Sequence, residues 1–535
     1  MKVHELPPNA GRMINSLRDA GYDFNTAVAD IVDNSIAAGA TLIDIRAQCS
    51  QRDGEITVSI GDNGCGMTLD QLCNAMTYGS NERADVHSLG KFGLGLKTAS
   101  TSQCRRVSLI SRCEEGIDVN KLVLDIDHAT KTNRWEYLEE EPDAMDSFLL
   151  RNSAGSGTGT VVRWDKCDRI LSHDYKDPGG SVQQKALDRK IEQLRFHLGI
   201  VFQRFLDKEF VDVPNVEIKL NFKPVKPWDP FCTDLDETYR FTRAAAKVNT
   251  KFGTSHVYVD AYVIPSRDEL DQKTADVVFP PNTNPDRFQG IYIYRENRLI
   301  HWGDWAGLYK TEFHQRLCRV ALSFDATMDS LFNVDFKKST VLINEQLATW
   351  MKGKVLEQAR TKADKRYRRG TVSLARKESI DLHEKANKVI ESKRTPSERH
   401  YSVQQLPSGS LQVENKRGTT VVEDKLDTSE EKKSPIVGVE NLANGILWEP
   451  AFYKSPSGEV EMCVKLNMSH PYYQKAYRAC KKDPVAIKAL DYLIWSLAQA
   501  EYATMDQDSL ENYLEMRIDV SRNLTHYVED MPEQG

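Results

Sequence analysis

Residues 88–100 have the sequence SLGKFGLGLKTAS, which places glycines at positions 90, 93 and 95 and a lysine at position 97. Glycines just before a helix are typical of a loop whose backbone amides bind phosphate oxygens. The spacing differs from the dinucleotide-binding and protein-kinase glycine patterns, and a leucine at position 96 replaces the glycine that a P-loop requires. By itself this stretch indicates a tight turn at a helix start as readily as a phosphate site.

Three other stretches accompany the glycines in a fixed order. DIVDNS at 30–35 lies on a predicted helix, IGDNGCGM at 60–67 ends a predicted strand, and GTGTVVRW at 157–164 enters another strand. With 88–100 they resemble the N, G1, G2 and G3 boxes of the GHKL ATPases, which include gyrase B, heat-shock chaperones, histidine kinases, MutL and MORC proteins. The resemblance implies an α+β fold with an N-terminal Bergerat-type sandwich, helices on a mixed β-sheet, and ATP and Mg²⁺ as cofactors.

The first box combines an acid with an amide. Asp30 and Asn34 are four residues apart, so they share one helix face. Asn34 offers a neutral oxygen of the kind that Mg²⁺ prefers, and Asp30 is placed to orient or deprotonate the water that attacks the γ-phosphate. Most relatives carry glutamate at the position of Asp30, and an acid usual three residues after the asparagine is replaced here by Ala37. We therefore expect retained ATP binding and slow hydrolysis.

The remaining boxes supply the expected nucleotide contacts. Asp62 resembles the family's adenine-reading aspartate, and Gly64 and Gly66 would let the backbone approach the base. Thr160 matches a threonine near the adenine, although a β-favouring residue on a strand is the plainer interpretation. The residues expected to bind ATP are Asn34, Asp62, Gly64, Gly66, Met67, Gly90, Lys91, Phe92, Gly93, Leu94, Gly95, Lys97 and Thr160.

A second region is similar to the transducer of the gyrase, chaperone and MutL branch. FNVDFKKSTVLI at 332–343 resembles the MutL element whose lysine reaches the γ-phosphate, which nominates Lys337, with Lys338 as the alternative. An exposed basic turn is the other interpretation. GIYIYRENRLI at 290–300 and NFKPVKPWDPF at 221–231 are most similar to MORC-type proteins. The resemblance covers about residues 10–350.

Composition excludes several classes of protein. The 535 residues are 40% hydrophobic and 28% charged, with a net charge of −7, as in a globular protein. With no signal-like N-terminus and no run of eighteen apolar residues, we expect a cytoplasmic protein that contacts no membrane. The ten cysteines are scattered and predict neither zinc nor disulfides. Residues 351–400 hold fifteen Lys or Arg against seven Asp or Glu, which fits a solvated helix face or a DNA-binding surface.

These patterns predict five segments and some of their elements. A stripe of apolar residues predicts one long helix over 181–206, and TEFHQRLCRVAL at 311–322 is also expected to be helical. The predicted segments are 1–195, the ATP-binding domain; 196–350, a β-α-β transducer; 351–400, a basic helical segment; 401–435, a flexible linker; and 436–535, an α-rich interaction domain.

The resemblance implies an ATP-gated dimeric clamp that acts on DNA, in a defence or genome-maintenance system. Its expected partners are a second copy of the chain, duplex DNA through 351–400 and an effector protein through 436–535. A weakly hydrolysing scaffold that recruits an effector is the alternative, and a chaperone is a third. DLHEKANKVIE at 381–391 superficially resembles the MutL endonuclease signature, but Asn387 occupies the place of an acid, so we predict no nuclease.

Overall fold

The computed structural model of the protein confirms the α+β class. The chain forms two compact units, Met1–Tyr367 and Arg368–Gly535. The structure describes residues 9–19, 22–77, 95–114, 119–171, 175–250, 253–280, 283–332, 343–393, 400–422, 434–454, 459–477, 479–506, 508–529 and 531.

The first unit begins with an eight-stranded mixed sheet. Its order is β5-β4-β3-β6-β2-β1-β7-β8, in which β1 and β7 are parallel and the other neighbours are antiparallel. The strands are β1 Leu42–Cys49, β2 Ile56–Asp62, β3 Cys104–Arg112, β4 Asn120–Asp125, β5 Leu138–Glu139, β6 Gly159–Cys167, β7 Glu217–Leu220 and β8 Lys223–Pro224.

Helices cover both faces of this sheet. They are α1 Ala10–Arg18, α2 Phe24–Ala37, α3 Leu69–Met76, α4 Gly95–Gln103, α5 Ile126–Thr132, α6 Ala144–Ala154, α7 Ser181–Val201 and α8 Gln203–Leu206. Alternate strand residues face opposite layers: Val162 joins the main core with α2 and α7, whereas Val161 packs with Leu149 and Leu150 of α6. The sandwich thus places α2 and α4 beside each other on one side, where the candidate site lies.

A second sheet completes the first unit. Its order is β10-β11-β14-β12-β13, with β9 paired to β11 and with β12 and β14 parallel. The strands are β9 Tyr239–Arg240, β10 Ala244–Thr250, β11 Gly253–Val263, β12 Gly290–Arg295, β13 Arg298–His301 and β14 Cys318–Phe324. The helices that follow or interrupt them are α9 Gln272–Val278, α10 Asp329–Phe332, α11 Glu345–Met351 and α12 Glu357–Ser392. Tyr292, Tyr294 and Leu299 of this sheet belong to the same apolar core as α2 and α7.

Among the described residues, the second unit contains two three-stranded sheets, the part of α12 that follows Tyr367, and two further long helices. One sheet is the antiparallel β15-β16-β17, and the other has the order β18-β20-β19. The elements are β15 Tyr401–Gln405, β16 Leu411–Asn415, β17 Gly418–Val422, β18 Ile436–Val439, β19 Trp448–Lys454, β20 Val460–Asn467, α13 Pro484–Thr504 and α14 Leu510–Tyr527. Ile487, Ile494 and Trp495 of α13 are buried in its core.

Three expectations from the sequence are wrong. The segment 311–322 is not one helix, because its second half, from Cys318, enters strand β14, which lies between two neighbouring strands, is buried on both faces and lacks the alternation that identifies a strand. The helix expected over 181–206 breaks at Phe202, where the backbone leaves helical geometry. The flexible linker expected over 401–435 contains β15, β16 and β17, whose polar composition reflects one solvent-facing side while Leu411 and Val413 are buried.

The expected segment borders remain predictions. The first sheet continues beyond residue 195 through β7 and β8, and the border between the two units falls inside the expected basic segment. Among the residues described, no helix is both long and apolar enough to cross a membrane.

Candidate nucleotide site

The predicted site residues divide between described and undescribed parts of the chain. Asp30 and Asn34 lie on α2, Asp62 ends β2, and Gly64, Gly66 and Met67 follow it, while Gly95 and Lys97 begin α4 and Thr160 lies on β6. Seven predicted residues fall outside the described ranges, namely Gly90, Lys91, Phe92, Gly93, Leu94, Lys337 and Lys338.

Asp62 is a buried carboxylate that is held by neutral donors. The Ser35 hydroxyl donates to its Oδ2 at 2.7 Å, and the Gly64 amide donates to its Oδ1 at 2.9 Å. Burial raises the pKa of Asp62, and these hydrogen bonds oppose part of that rise. Asp62 also pairs with Thr160 across β2 and β6. The arrangement can present a fixed acceptor to an amine such as the exocyclic amine of adenine.

A hydroxyl pair fixes the loop that follows Asp62. Ser111 Oγ and Thr160 Oγ1 lie 2.8 Å apart and share a hydrogen bond, and the Met67 amide donates to Ser111 Oγ at 2.8 Å. Thr160 therefore has a structural contact that its strand position alone does not reveal. The sequence gives no signal for Ser111, which belongs to none of the four boxes.

The two glycines of this loop are required by protein packing. Gly66 has a φ of +68°, and a Cβ there would lie 2.0 Å from the Arg112 carbonyl oxygen. A Cβ at Gly64 would lie 2.8 Å from the Ala38 Cβ. Close approach to neighbouring backbone and side chain is thus sufficient reason for both glycines, before any ligand is considered.

Asp30 and Asn34 occupy the same helix face, as their spacing predicts. The Tyr22 hydroxyl donates to Asp30 Oδ2 at 2.9 Å, and Asn34 Nδ2 donates to the Asp30 carbonyl at 3.1 Å. Gly95, the first residue of α4, lies against the same carboxylate, since an ideal Cβ there would be 3.6 Å from Asp30 Oδ2. The acid therefore lies where a helix N-terminus begins, a position that attracts anions such as phosphate.

Lys97 has a different environment from the one expected. Its ammonium group is buried and donates to the carbonyls of Ala75 at 2.9 Å and Thr77 at 2.7 Å. Burial lowers the pKa of Lys97 to about 8. The side chain thus ties the start of α4 to the end of α3, whereas the sequence suggested contact with phosphates.

Two charged residues that the sequence reasoning did not select complete the site. Asp33 lies one turn from Asp30 on α2, and Arg298 begins β13. Arg298 Nε is 3.1 Å from the Asp33 carboxylate, and its Nη2 is 3.8 Å from Asp30 Oδ1. The sequence shows a second acid within DIVDNS and a basic residue within GIYIYRENRLI. It does not show that the two are in contact, because they lie 265 positions apart.

The described residues contain no cluster of three or more His, Cys, Asp or Glu side chains suited to a metal. Asn34 supplies one amide group, so a Mg²⁺ ion here would take other ligands from phosphate oxygens and water, which is the usual mode for this ion. The site therefore fits a metal that arrives with a nucleotide.

Comparison with known proteins supports this reading of the site. Residues 22–158 match the family described as histidine kinase-, DNA gyrase B-, and HSP90-like ATPase. The chain is also similar to DNA mismatch repair protein MutL, at 32% identity over 120 residues in Enterobacter sp. (strain 638) and at 31% over 119 residues in Erwinia tasmaniensis. These matches cover 22% and 21% of this chain and 19% of each relative. The chain thus matches about a fifth of the length of these relatives.

Proposed function

We propose that this chain, whose residues 22–158 form an ATP-binding domain of the GHKL superfamily, hydrolyses ATP with Mg²⁺. The observation that carries the proposal is the position of two buried carboxylates, Asp30 on α2 and Asp62 at the end of β2. Asp30 lies on the helix beside the start of α4, and Asp62 bonds to Ser35, about 8 Å further along the helix axis at 1.5 Å per residue. A nucleotide could be recognised at one carboxylate and hydrolysed at the other.

In this proposal each described residue has one role. Asp62 accepts from the adenine amine, and Thr160 lies beside it. Asn34 holds Mg²⁺ through its amide oxygen, because its amide nitrogen already donates to Asp30. The ion, when bound, neutralises charge on the phosphates. Asp30 orients the attacking water and accepts its proton. Lys337 or Lys338 remains our candidate for the contact to the γ-phosphate.

We infer further that ATP binding joins two copies into a clamp and that hydrolysis releases them. The inference rests on the likeness of residues 196–350 to a transducer. Light scattering of the intact chain, with and without a non-hydrolysable ATP analogue and Mg²⁺, tests it. We expect the mass to double with the analogue, and an unchanged mass and shape would contradict the clamp.

Duplex DNA is our proposed substrate for the clamp. Within the basic segment, Arg366 forms an ion pair with Glu269 at 2.7 Å, whereas Arg368 and Arg369 are exposed. The double substitution Arg368→Glu and Arg369→Glu should weaken DNA retention and lower the slope of log affinity against log salt by up to about 2. The control changes two exposed lysines elsewhere, Lys208→Glu and Lys273→Glu. Equal loss in both variants would indicate a net-charge effect and contradict a DNA surface at 351–400.

The second candidate function is a scaffold that binds ATP and recruits an effector. One observation favours it: α13 exposes an apolar stripe, with Val485 75% and Leu493 58% exposed. The shorter acid at position 30 also agrees with slow turnover. Measuring ATP affinity and turnover of the wild type and of Asn34→Ala, with and without DNA, separates the two. Turnover that depends on Asn34 supports the ATPase, and tight binding with no turnover in any condition supports the scaffold.

A further inference from the structure

Asp30 and Asp33 are two buried acids on the same turn of α2. Their exposed fractions are 5% and 1%. Buried carboxylates are costly unless a cation or several donors accompany them. The groups around this pair therefore determine whether Asp30 keeps the orientation that catalysis needs.

Among the described residues, Arg298 is a cation that faces both acids. It is 5% exposed, contacts Asp33 through Nε at 3.1 Å, and places Nη2 3.8 Å from Asp30 Oδ1. The other oxygen of Asp30 accepts from the Tyr22 hydroxyl. The Asp30 carboxylate is thus flanked on one oxygen by Tyr22 and on the other by a residue of the second sheet.

The turn that presents Arg298 is itself held in place. Glu296 and Asn297, which join β12 to β13, have φ values of 46° and 65°, a conformation that only a well-supported turn imposes on non-glycine residues. Arg204 of α8 donates to Asn297 Oδ1 at 2.9 Å. The Arg298 guanidinium therefore belongs to a hairpin whose turn is held by a hydrogen bond. Its position beside Asp30 depends on how this hairpin packs on the ATP-binding domain.

We propose that Arg298 is a positioning residue for Asp30, so that hydrolysis requires the hairpin of the second sheet to be docked whereas ATP binding does not. The proposal rests on the proposed ATPase function. An aspartate is one carbon–carbon bond shorter than the glutamate of most relatives, and a fixed planar cation can hold its carboxylate in one orientation. Arg298 lies outside residues 22–158, so the matched domain alone lacks this group.

The test compares Arg298→Met with Arg298→Lys in the intact chain, measuring kcat, the Kd for ATP and the melting temperature. We expect Arg298→Met to lower kcat at least about 10-fold while the Kd stays within about 3-fold, and to lower the melting temperature because buried Asp33 loses its ion pair with Arg298. Arg298→Lys should recover at least about a third of the lost rate. If Arg298→Met precipitates, Arg298→Gln replaces it.

Arg295 supplies a matched control on the same hairpin. It is also buried and pairs with Asp329 at 2.7 Å and 3.0 Å. Arg295→Met should lower the melting temperature without separating kcat from Kd. Three results would each overturn the proposal. The first is wild-type kcat in Arg298→Met, and the second is a joint fall of kcat, ATP binding and melting temperature in that variant. The third is an equal loss of kcat in Arg298→Lys.

Wild type and Asp30→Asn are measured in the same series. A wild type that does not bind ATP, or an Asp30→Asn variant as active as wild type, contradicts the ATPase function itself. Normal dependence on Asp30 with no dependence on Arg298 contradicts only the positioning role.

Discussion

The proposed adenine end and the proposed hydrolytic end of the site differ in which parts of the chain support them. Asp62 and Asp30 are almost equally buried, at 6% and 5% exposed. Asp62 is held by Ser35 and Gly64, which lie within residues 22–158, whereas Asp30 is flanked by Tyr22 and by Arg298 from the second sheet. Under the proposed roles, recognition of the nucleotide is thus local, and hydrolysis depends on a distant part of the chain. Affinity and turnover should therefore be separable by mutation.

The largest separation is expected from Asp30→Asn. Loss of the group proposed to take the proton should lower kcat by about 10² to 10⁴-fold. ATP affinity should be nearly unchanged, because the proposal places Asp30 at the attacking water and not at the adenine. Steady-state phosphate release and equilibrium ATP binding measure the two quantities. A parallel loss of affinity would erase the distinction between the two ends.

Asp62→Asn should produce the opposite result. Replacing a charged acceptor by an amide removes a charge-assisted hydrogen bond of about 1.5 to 3 kcal/mol, which corresponds to roughly 10 to 150-fold in Kd. At saturating ATP the turnover should stay close to wild type. Ser35→Ala, which removes only one donor to Asp62, is the milder companion and should raise the Kd less. If Asp62→Asn lowers kcat and leaves the Kd unchanged, the adenine assignment is wrong.

Gly66→Ala should weaken ATP binding at the proposed adenine end by disturbing the packing of the loop that follows Asp62. The positive φ and the 2.0 Å approach to the Arg112 carbonyl leave no room for a methyl group, so we expect a loss of unfolding free energy above about 1 kcal/mol. Denaturant unfolding and the Kd for ATP should both change. The control is Gly39→Ala, which also has a positive φ but nothing within 4 Å of its Cβ. Equal destabilisation would show that conformation alone, without packing, restricts Gly66.

Lys97→Met gives the smallest effect and concerns the support of α4. Because burial lowers the pKa of Lys97 from 10.5 to about 8, the unfolded chain binds more protons than the folded one between these values. The stability that this group contributes therefore rises with pH across that window. The unfolding free energy of wild type minus that of Lys97→Met should increase from about pH 7.5 to about pH 9.5. A constant difference would show that the ammonium titrates normally.

The sequence predicted those parts of the site that depend on nearby residues. Asp30 and Asn34 share a face because helical spacing guarantees it, and Asp62 ends a strand as its alternation indicates. Arg298 was not predictable, because its approach to Asp33 depends on the packing of two sheets. The contacts of Lys97 were not predictable for a related reason, since its carbonyl partners at residues 75 and 77 become neighbours only when α3 and α4 pack.

The fold showed the same division. Strands whose apolar residues alternate in the sequence, such as β2 with Ile56, Val58 and Ile60, were identified correctly, but β14 was read as a helix because its apolar residues do not alternate. The strands β15 to β17 were read as a linker because their few buried residues are diluted by polar ones. Both cases depend on pairing between strands, and this pairing has little effect on the local amino-acid composition.

The crowding of functional groups on helix α2 limits which mutations of the gene the protein can tolerate. Within fourteen residues the helix carries the proposed catalytic base, the amide proposed to bind the metal, the partner of Arg298 and the hydroxyl that holds Asp62. Each residue turns the helix by 100°, so deleting a single codon between Phe24 and Ala37 would rotate every later group away from its partner. Point substitutions should remove one function at a time, whereas a frame-preserving deletion in this helix should remove binding and turnover together.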